Sequence, residues 1–258
     1  QNEASDKIAS ASNEEKQQII ADMKVVADKA HEIKDKLQQI ESEFNKLMLL
    51  IPQIPISDAP RGGEEANKVT KEVGAPTVFD FEAKDHIQLG ESLDMIDIER
   101  GVKLMGTRGY ILKNEGARLQ RALMSYALDF LMERGFTQLV TPVLAKKEFF
   151  TGTGHFPFAE DETFRVFDQR KDQTEAPLYL VGTSEIPLCG YHAGETLLMA
   201  DLPVQYTAET NCFRTEVGSY RKDTAGLYRI KQFTKVEQVV LMKADEQKGR
   251  EALQLILK

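Results

Sequence analysis

YTAETNCFRTEVGSYRKDTAGLYRIKQFTKVEQVVLM, residues Tyr206–Met242, reads as strand, loop, strand. Its two flanks are enriched in β-branched and aromatic residues, and the middle, VGSYRKDTAG (217–226), is a run of Gly, Ser, Thr and charge that can bend around a ligand. Alternate residues of a strand share a face. That period puts Arg214 with Glu216 on the first strand, and Arg229 with Lys231, Phe233 and Glu237 on the second. From Arg214 to Lys231 there are five basic residues against two acidic, a patch suited to a small polyanion. Two guanidinium forks, an aromatic ring and two carboxylates on one face are what a nucleotide polyphosphate needs: arginine for phosphate, a ring for the base, a carboxylate for an exocyclic amine. Spacing alone fits equally an exposed hairpin whose outer face is solvated charge.

Upstream, YLVGTSEIPL (179–188) reads as another short strand, placing Thr183 and Glu185 two apart on one face, and FTQLVTPVL (136–144) as a strand that Pro142 confines to an edge or end. Leu119, Leu123, Tyr126, Ala127, Phe130 and Leu131 recur at helical spacing between Ala117 and Glu133, with Gly135 as the stop. FDFEAKDHIQLGESLDMIDIERGVKLMG (79–106) predicts a short strand or turn and then helix, and DEQKGREALQLILK (245–258) begins an amphipathic helix. Three prolines in IPQIPISDAPRGG (51–63) exclude helix and place a domain boundary there. Before it, Ile19, Met23, Val26, Ala30, Ile33, Leu37, Ile40, Phe44 and Leu47 alternate steps of four and three, the seam of a coiled-coil helix. From near Asn13 to Leu49, at about 1.5 Å per residue, that helix is too long for a compact domain to bury and is expected to project. Residues 1–12 could cover only about three turns of the seam, so its mate is expected either from another molecule or from a lost N-terminal helix, the start at Gln1 rather than Met favouring the second.

With 258 residues, 41% hydrophobic and 29% charged, the chain has enough apolar material for one main domain and an appendage. No apolar run approaches a membrane span and no leader pattern opens the sequence, so a soluble, cytoplasmic protein is expected. A net charge of −8 disfavours non-specific nucleic-acid binding. Cys189 and Cys212 lack CxxC spacing and read as plain thiols. His31, His86, His155 and His192 are scattered and read as surface or capping side chains, so no metal site is expected.

CFRTEVGSYRKDTAGLYRIKQFTKVE (212–237) resembles motif 2 of the class II aminoacyl-tRNA synthetases in its seryl form. VGTSEIPL (181–188) is similar to that family's Thr-x-Glu serine loop, and TGTGHFP (151–157) to the Gly-Thr-Gly segment before it. GARLQRALMSYALDFLMERGFTQLVTPVL (116–144) resembles motif 1, and QNEASDKIA (1–9) resembles the end of the first arm helix. The resemblance covers essentially the whole chain. It implies an α+β fold, a class II antiparallel sheet flanked by helices with an N-terminal helical coiled-coil arm. The expected division is arm 1–58, linker 59–83 and catalytic domain 84–258.

Carried onto these residues, the resemblance implies that Arg214 is the catalytic cation, holding the ATP α-phosphate beside the serine carboxylate. Glu216 would accept from the adenine amine, Phe233 would stack on adenine, and Arg229 would reach the outer phosphates. Thr183, Glu185 and Glu237 would read the ammonium and hydroxyl of L-serine, rejecting alanine because a site built for a hydroxyl leaves polar groups unpaired without it. The reaction implied is activation of serine by ATP with Mg²⁺ to seryl-adenylate, then transfer to tRNA(Ser), which the arm helps select. A homodimer through Ala117–Leu144 is also implied.

Three departures accompany the likeness. Nothing resembles motif 3, so the chain is expected to be a fragment of impaired activity. Lys231 stands where the family more often has histidine, and Ala225 where it often has arginine. Residues 1–58 carry seven basic and eleven acidic side chains, a weak basis for gripping RNA. Two other readings compete: a non-catalytic coiled-coil scaffold or regulator built on a synthetase-like body, and a synthetase-like ligase that loads a carrier protein.

Overall fold

The computed structural model describes residues 12–168, 176–216 and 226–257. The chain divides into two compact units, Gln1–Lys68 and Val69–Lys258.

The first unit is dominated by α1 (Asn13–Met48), the helix that the four-three spacing predicts. Its start is set by Ser12, whose backbone N–H and hydroxyl both donate to the Glu15 carboxylate at 2.9 and 2.8 Å. Glu14 and Glu15 in the first turn and Lys46 in the last suit the helix dipole. The seam side chains Ile33, Leu37, Ile40, Phe44 and Leu47 are all more than half exposed among the described residues.

The second unit opens with α2 (His86–Ser92), where Asp85 accepts from Gln88 N–H at 2.8 Å and Gln88 Oε1 accepts from Asp85 N–H at 3.1 Å. β1 (Ile96–Asp97), α3 (Ile98–Met105) and β2 (Ile111–Leu112) follow, with β1 and β2 antiparallel. Next come α4 (Asn114–Met132), β3 (Thr137–Gln138), β4 (Leu144–Lys146) and α5 (Lys147–Gly152). β5 (Arg165–Val166), β6 (Leu178–Leu180), α6 (Glu185–Gly190), β7 (Val204–Phe213), β8 (Gln232–Leu241) and α7 (Glu246–Ile256) complete it.

β7 and β8 are ten residues each and pair antiparallel along their whole length, from Val204 opposite Leu241 to Phe213 opposite Gln232. β3 joins the outer edge of β7, but parallel to it, so this sheet is mixed at its margin. β4, β6 and β5 form a second, antiparallel sheet. The two sheets meet at Val181, whose N–H donates to Val143 and whose carbonyl accepts from Phe213 N–H, both at 2.9 Å. Helices flank the hairpin: Gln120 of α4 donates to Thr234 at 3.1 Å, and Ser184, at the start of α6, reaches the Ala208 carbonyl at 3.4 Å. A core of Phe150, Phe156, Tyr179, Val181 and Ile186 packs behind the junction, with Phe150 and Phe156 stacked at 4.8 Å.

Three expectations need correction. SEIPL is helix rather than strand: Ile186 and Leu188 are both fully buried, and in a helix of six residues that apolar pair cannot be told from strand alternation. Thr183 and Glu185 therefore do not share a strand face; Thr183 lies in the bend and Glu185 is the first helical residue. The long hairpin strands are shorter than expected, and Arg214, Glu216, Arg229 and Lys231 all fall outside them. One ladder bond does continue, Arg214 N–H to Lys231 O at 2.9 Å. Beyond it Thr215 turns away to Glu162 O (3.0 Å), and Glu216 takes a left-handed conformation at φ 56°.

Candidate active site

The side chains expected to carry chemistry fall into two groups, the first of them at the junction of the two sheets. Phe233, Lys235 and Glu237 alternate along β8 and so project to one face, opposite Cys212, Thr210 and Ala208 of β7. Arg214, one position past β7, sets its guanidinium carbon 5.4 Å from the centroid of the Phe233 ring, on that same face. Its Nη2 donates to the Gly182 carbonyl at 3.4 Å, which ties it to the bend carrying Thr183.

Thr183 is buried, and each capacity of its hydroxyl is used. It donates to Glu237 Oε2 at 2.6 Å and accepts from Lys235 Nζ at 2.7 Å and from Glu185 N–H at 3.2 Å. Lys235 closes the triangle with a short ion pair to Glu237. Burial is the largest single influence on the Glu237 carboxyl and pushes it up, but the hydrogen bonds from Lys235, Thr183 and the Gln238 backbone, with the charge of Lys235, together outweigh it. The group is held below its ordinary value and stays ionised.

Glu216 and Arg229 form a second group. Arg229 Nε lies 3.4 Å from Glu216 Oε2, and Arg108, from the turn after α3, approaches from the other side. Arg108 donates to the Glu216 carbonyl at 2.6 Å, with its guanidinium 3.8 Å from the carboxylate. Thus Arg214 meets Phe233, Thr183 meets Glu237, and Glu216 meets Arg229. Glu185 joins through its backbone N–H. Arg221, Lys222 and Ala225 of the expected loop lie outside the described residues, and Lys231 contributes its carbonyl to Arg214.

Lys235 and Arg108 were not singled out by the sequence. For Lys235 the signal was present in its two-residue spacing from both Phe233 and Glu237. For Arg108 there was none, since its partner is 108 residues away.

Among the described residues, no group of three or more His, Cys, Asp and Glu could hold a metal ion. The Glu237 carboxylate already faces Lys235, and that of Glu216 faces Arg229 and Arg108. Cys212 is buried and Cys189 half-buried, and burial pushes both thiols up. A hollow of about 750 Å³ beside α7 lies apart from Arg214, Thr183 and Glu237, whereas one of about 470 Å³ beside α4 is lined by Phe233 together with His86 and Leu227.

Residues 1–55 match the seryl-tRNA synthetase N-terminal domain, and residues 164–256 match the class II tRNA synthetase core domain (G, H, P, S and T). The serine–tRNA ligase of Tropheryma whipplei (strain Twist) is 40% identical over 237 residues, which cover 92% of this chain and 55% of the relative. That of Thermobifida fusca is 41% identical over 239 residues, covering 93% and 55%. The chain belongs to the seryl-tRNA synthetase family. The seryl-tRNA synthetase from Pyrococcus horikoshii, solved complexed with ATP, superposes with a TM-score of 0.83 at 27% identity over 99% of this chain and 60% of that one. The cytoplasmic serine-tRNA ligase from Naegleria fowleri, in complex with AMP, gives 0.81 at 27% identity, covering 99% and 59%. As a seryl-tRNA synthetase relative, the chain spans about 55% of the length of the curated proteins it matches.

Proposed function

We propose that this chain carries the ATP- and serine-binding face of a cytoplasmic enzyme that activates L-serine to seryl-adenylate and transfers it to tRNA(Ser). The observation that carries the reading is the common face of Arg214, Phe233, Lys235 and Glu237, with the first two 5.4 Å apart. In this reading an adenine stacks on Phe233 and offers its amine to Glu216, while Arg214 spans the α-phosphate and the serine carboxylate. Arg229 reaches the outer phosphates. The serine carboxylate is already a nucleophile near neutral pH, so the first step needs no general base. Its acceleration comes from alignment and from the Arg214 charge meeting the negative charge that builds on the α-phosphate. Thr183, Glu185 and Glu237 read the serine ammonium and hydroxyl. Mg²⁺ enters as the counter-ion of the ATP phosphates.

Residues 1–58 serve as a coiled-coil arm for tRNA, 59–83 as linker and 84–258 as the catalytic part. The exposed α1 seam supports a helical mate for the arm. Exposed Leu119, Leu123, Tyr126 and Val140 support a homodimer through Ala117–Leu144. Serine-dependent exchange between ATP and pyrophosphate tests the reading, on this chain and on one extended to the length of its relatives. Exchange in neither would sink it, and exchange without tRNA charging by the extended form would favour the carrier-protein ligase.

A further inference from the structure

Two side chains from the segment between α2 and β2, which the reading above leaves without a role, reach across the fold to the site. Arg108 is seated by a tight backbone crossing. A Cβ on Gly101 of α3 would lie 2.3 Å from Tyr110 Cα, and one on Gly109 would lie 2.3 Å from the Gly101 carbonyl oxygen. The turn so fixed aims Arg108 at Glu216, and both side chains are largely buried, at 15% and 13% exposed. Glu216 needs a hold, because a non-glycine residue at φ 56° is in a sparsely populated conformation. His86, set at the first position of α2 by the Asp85 cap, accepts from Leu227 N–H at 3.0 Å through Nε2, which leaves its proton on Nδ1. Its ring packs edge-on against Tyr228 at 4.5 Å. Gly226, at φ 65°, passes so close that a Cβ there would lie 2.1 Å from that same Nε2. Arg108 thus grips the segment leading out of β7, and His86 the segment leading back toward β8.

We propose that Arg108 and His86 are positioning residues of the nucleotide site. Arg108 holds Glu216 where its carboxylate meets the adenine amine, and His86 holds Gly226–Tyr228 so that Arg229 stays against that carboxylate. The inference rests on the ATP reading, and the experiment separates the two.

ATP and purine riboside triphosphate, which lacks the exocyclic amine, are titrated calorimetrically into the chain extended to the length of its relatives and into its Arg108→Met, Arg108→Lys, His86→Leu and His86→Gln variants. Exchange of the Leu227 amide is followed by NMR. Arg108→Met should weaken ATP on the order of tenfold, the cost of one misplaced hydrogen bond. It should leave the amine-free nucleotide nearly unchanged, with Arg108→Lys intermediate. His86→Leu should speed Leu227 exchange and weaken ATP, each about tenfold, and His86→Gln, whose Oε1 replaces Nε2 as acceptor, should restore both. Equal losses for both nucleotides in Arg108→Met, or an unchanged Leu227 amide in His86→Leu, would overturn the proposal. Parent protein that binds neither nucleotide would overturn the ATP reading, and the positioning role with it, even if Leu227 still responded. Should His86→Leu not fold, His86→Asn, whose oxygen stops one bond short, must lose what His86→Gln keeps.

Discussion

A lysine at position 214 would keep the charge and lose the planar fork that spans a phosphate and a carboxylate. In the extended form, Arg214→Lys is therefore expected to slow exchange on the order of a hundredfold with the fold intact, as judged by circular dichroism. Glu237 gives a second test, through acid stability. Its carboxyl is held below 4.5 in the folded protein, so the stability it adds is present above that ordinary value and is lost as pH falls through the depressed one. Urea midpoints measured from neutrality down to pH 3 should show Glu237→Gln less stable at neutral pH and less sensitive to acid. Matching pH profiles for the two proteins would count against the Lys235 and Thr183 bonds.

Among the elements, the close crossing of α3 under Tyr110 is the least tolerant of added volume. Three backbone atoms of Tyr110 lie within 2.6 Å of where a Gly101 Cβ would stand, so Gly101→Ala must push the turn away. A cost of about 1–3 kcal/mol is expected in chemical denaturation, the range for overpacking. Legibility in the sequence followed the length of each element's pattern. α1 was readable because its period runs through nine positions, and the β7–β8 pair because β-branched and aromatic residues are enriched along both ten-residue strands. α6 was not, since six residues cannot display a helical period. The site was half legible. Residues of the hairpin could be placed on faces from their spacing alone, whereas His86, whose partner is 141 residues away, gave no local sign of its contact.

At the scale of the molecule, the first compact unit ends at Lys68, and its last residues include the proline- and glycine-bearing stretch 51–63. Arg61 in that stretch is exposed, and Gly62 and Gly63 follow it. Brief trypsin treatment is expected to cut after Arg61 before any site within β7 or β8, leaving an N-terminal piece of 61 residues identifiable by mass spectrometry. First cleavage within the hairpin would show its backbone to be less protected than its ladder of bonds implies. No described helix is long and apolar enough to cross a membrane.

The Thr183 hydroxyl and the Glu237 carboxylate are already occupied by the ammonium of Lys235. An amine arriving at Glu237 Oε2 must contend with a cation tethered two residues away, an internal competitor that dilution never removes. Discrimination at this face would then register as the difference between two ammonium ions contending for one oxygen, so shortening the lysine should change how tightly amines are held as much as any change to the acid itself.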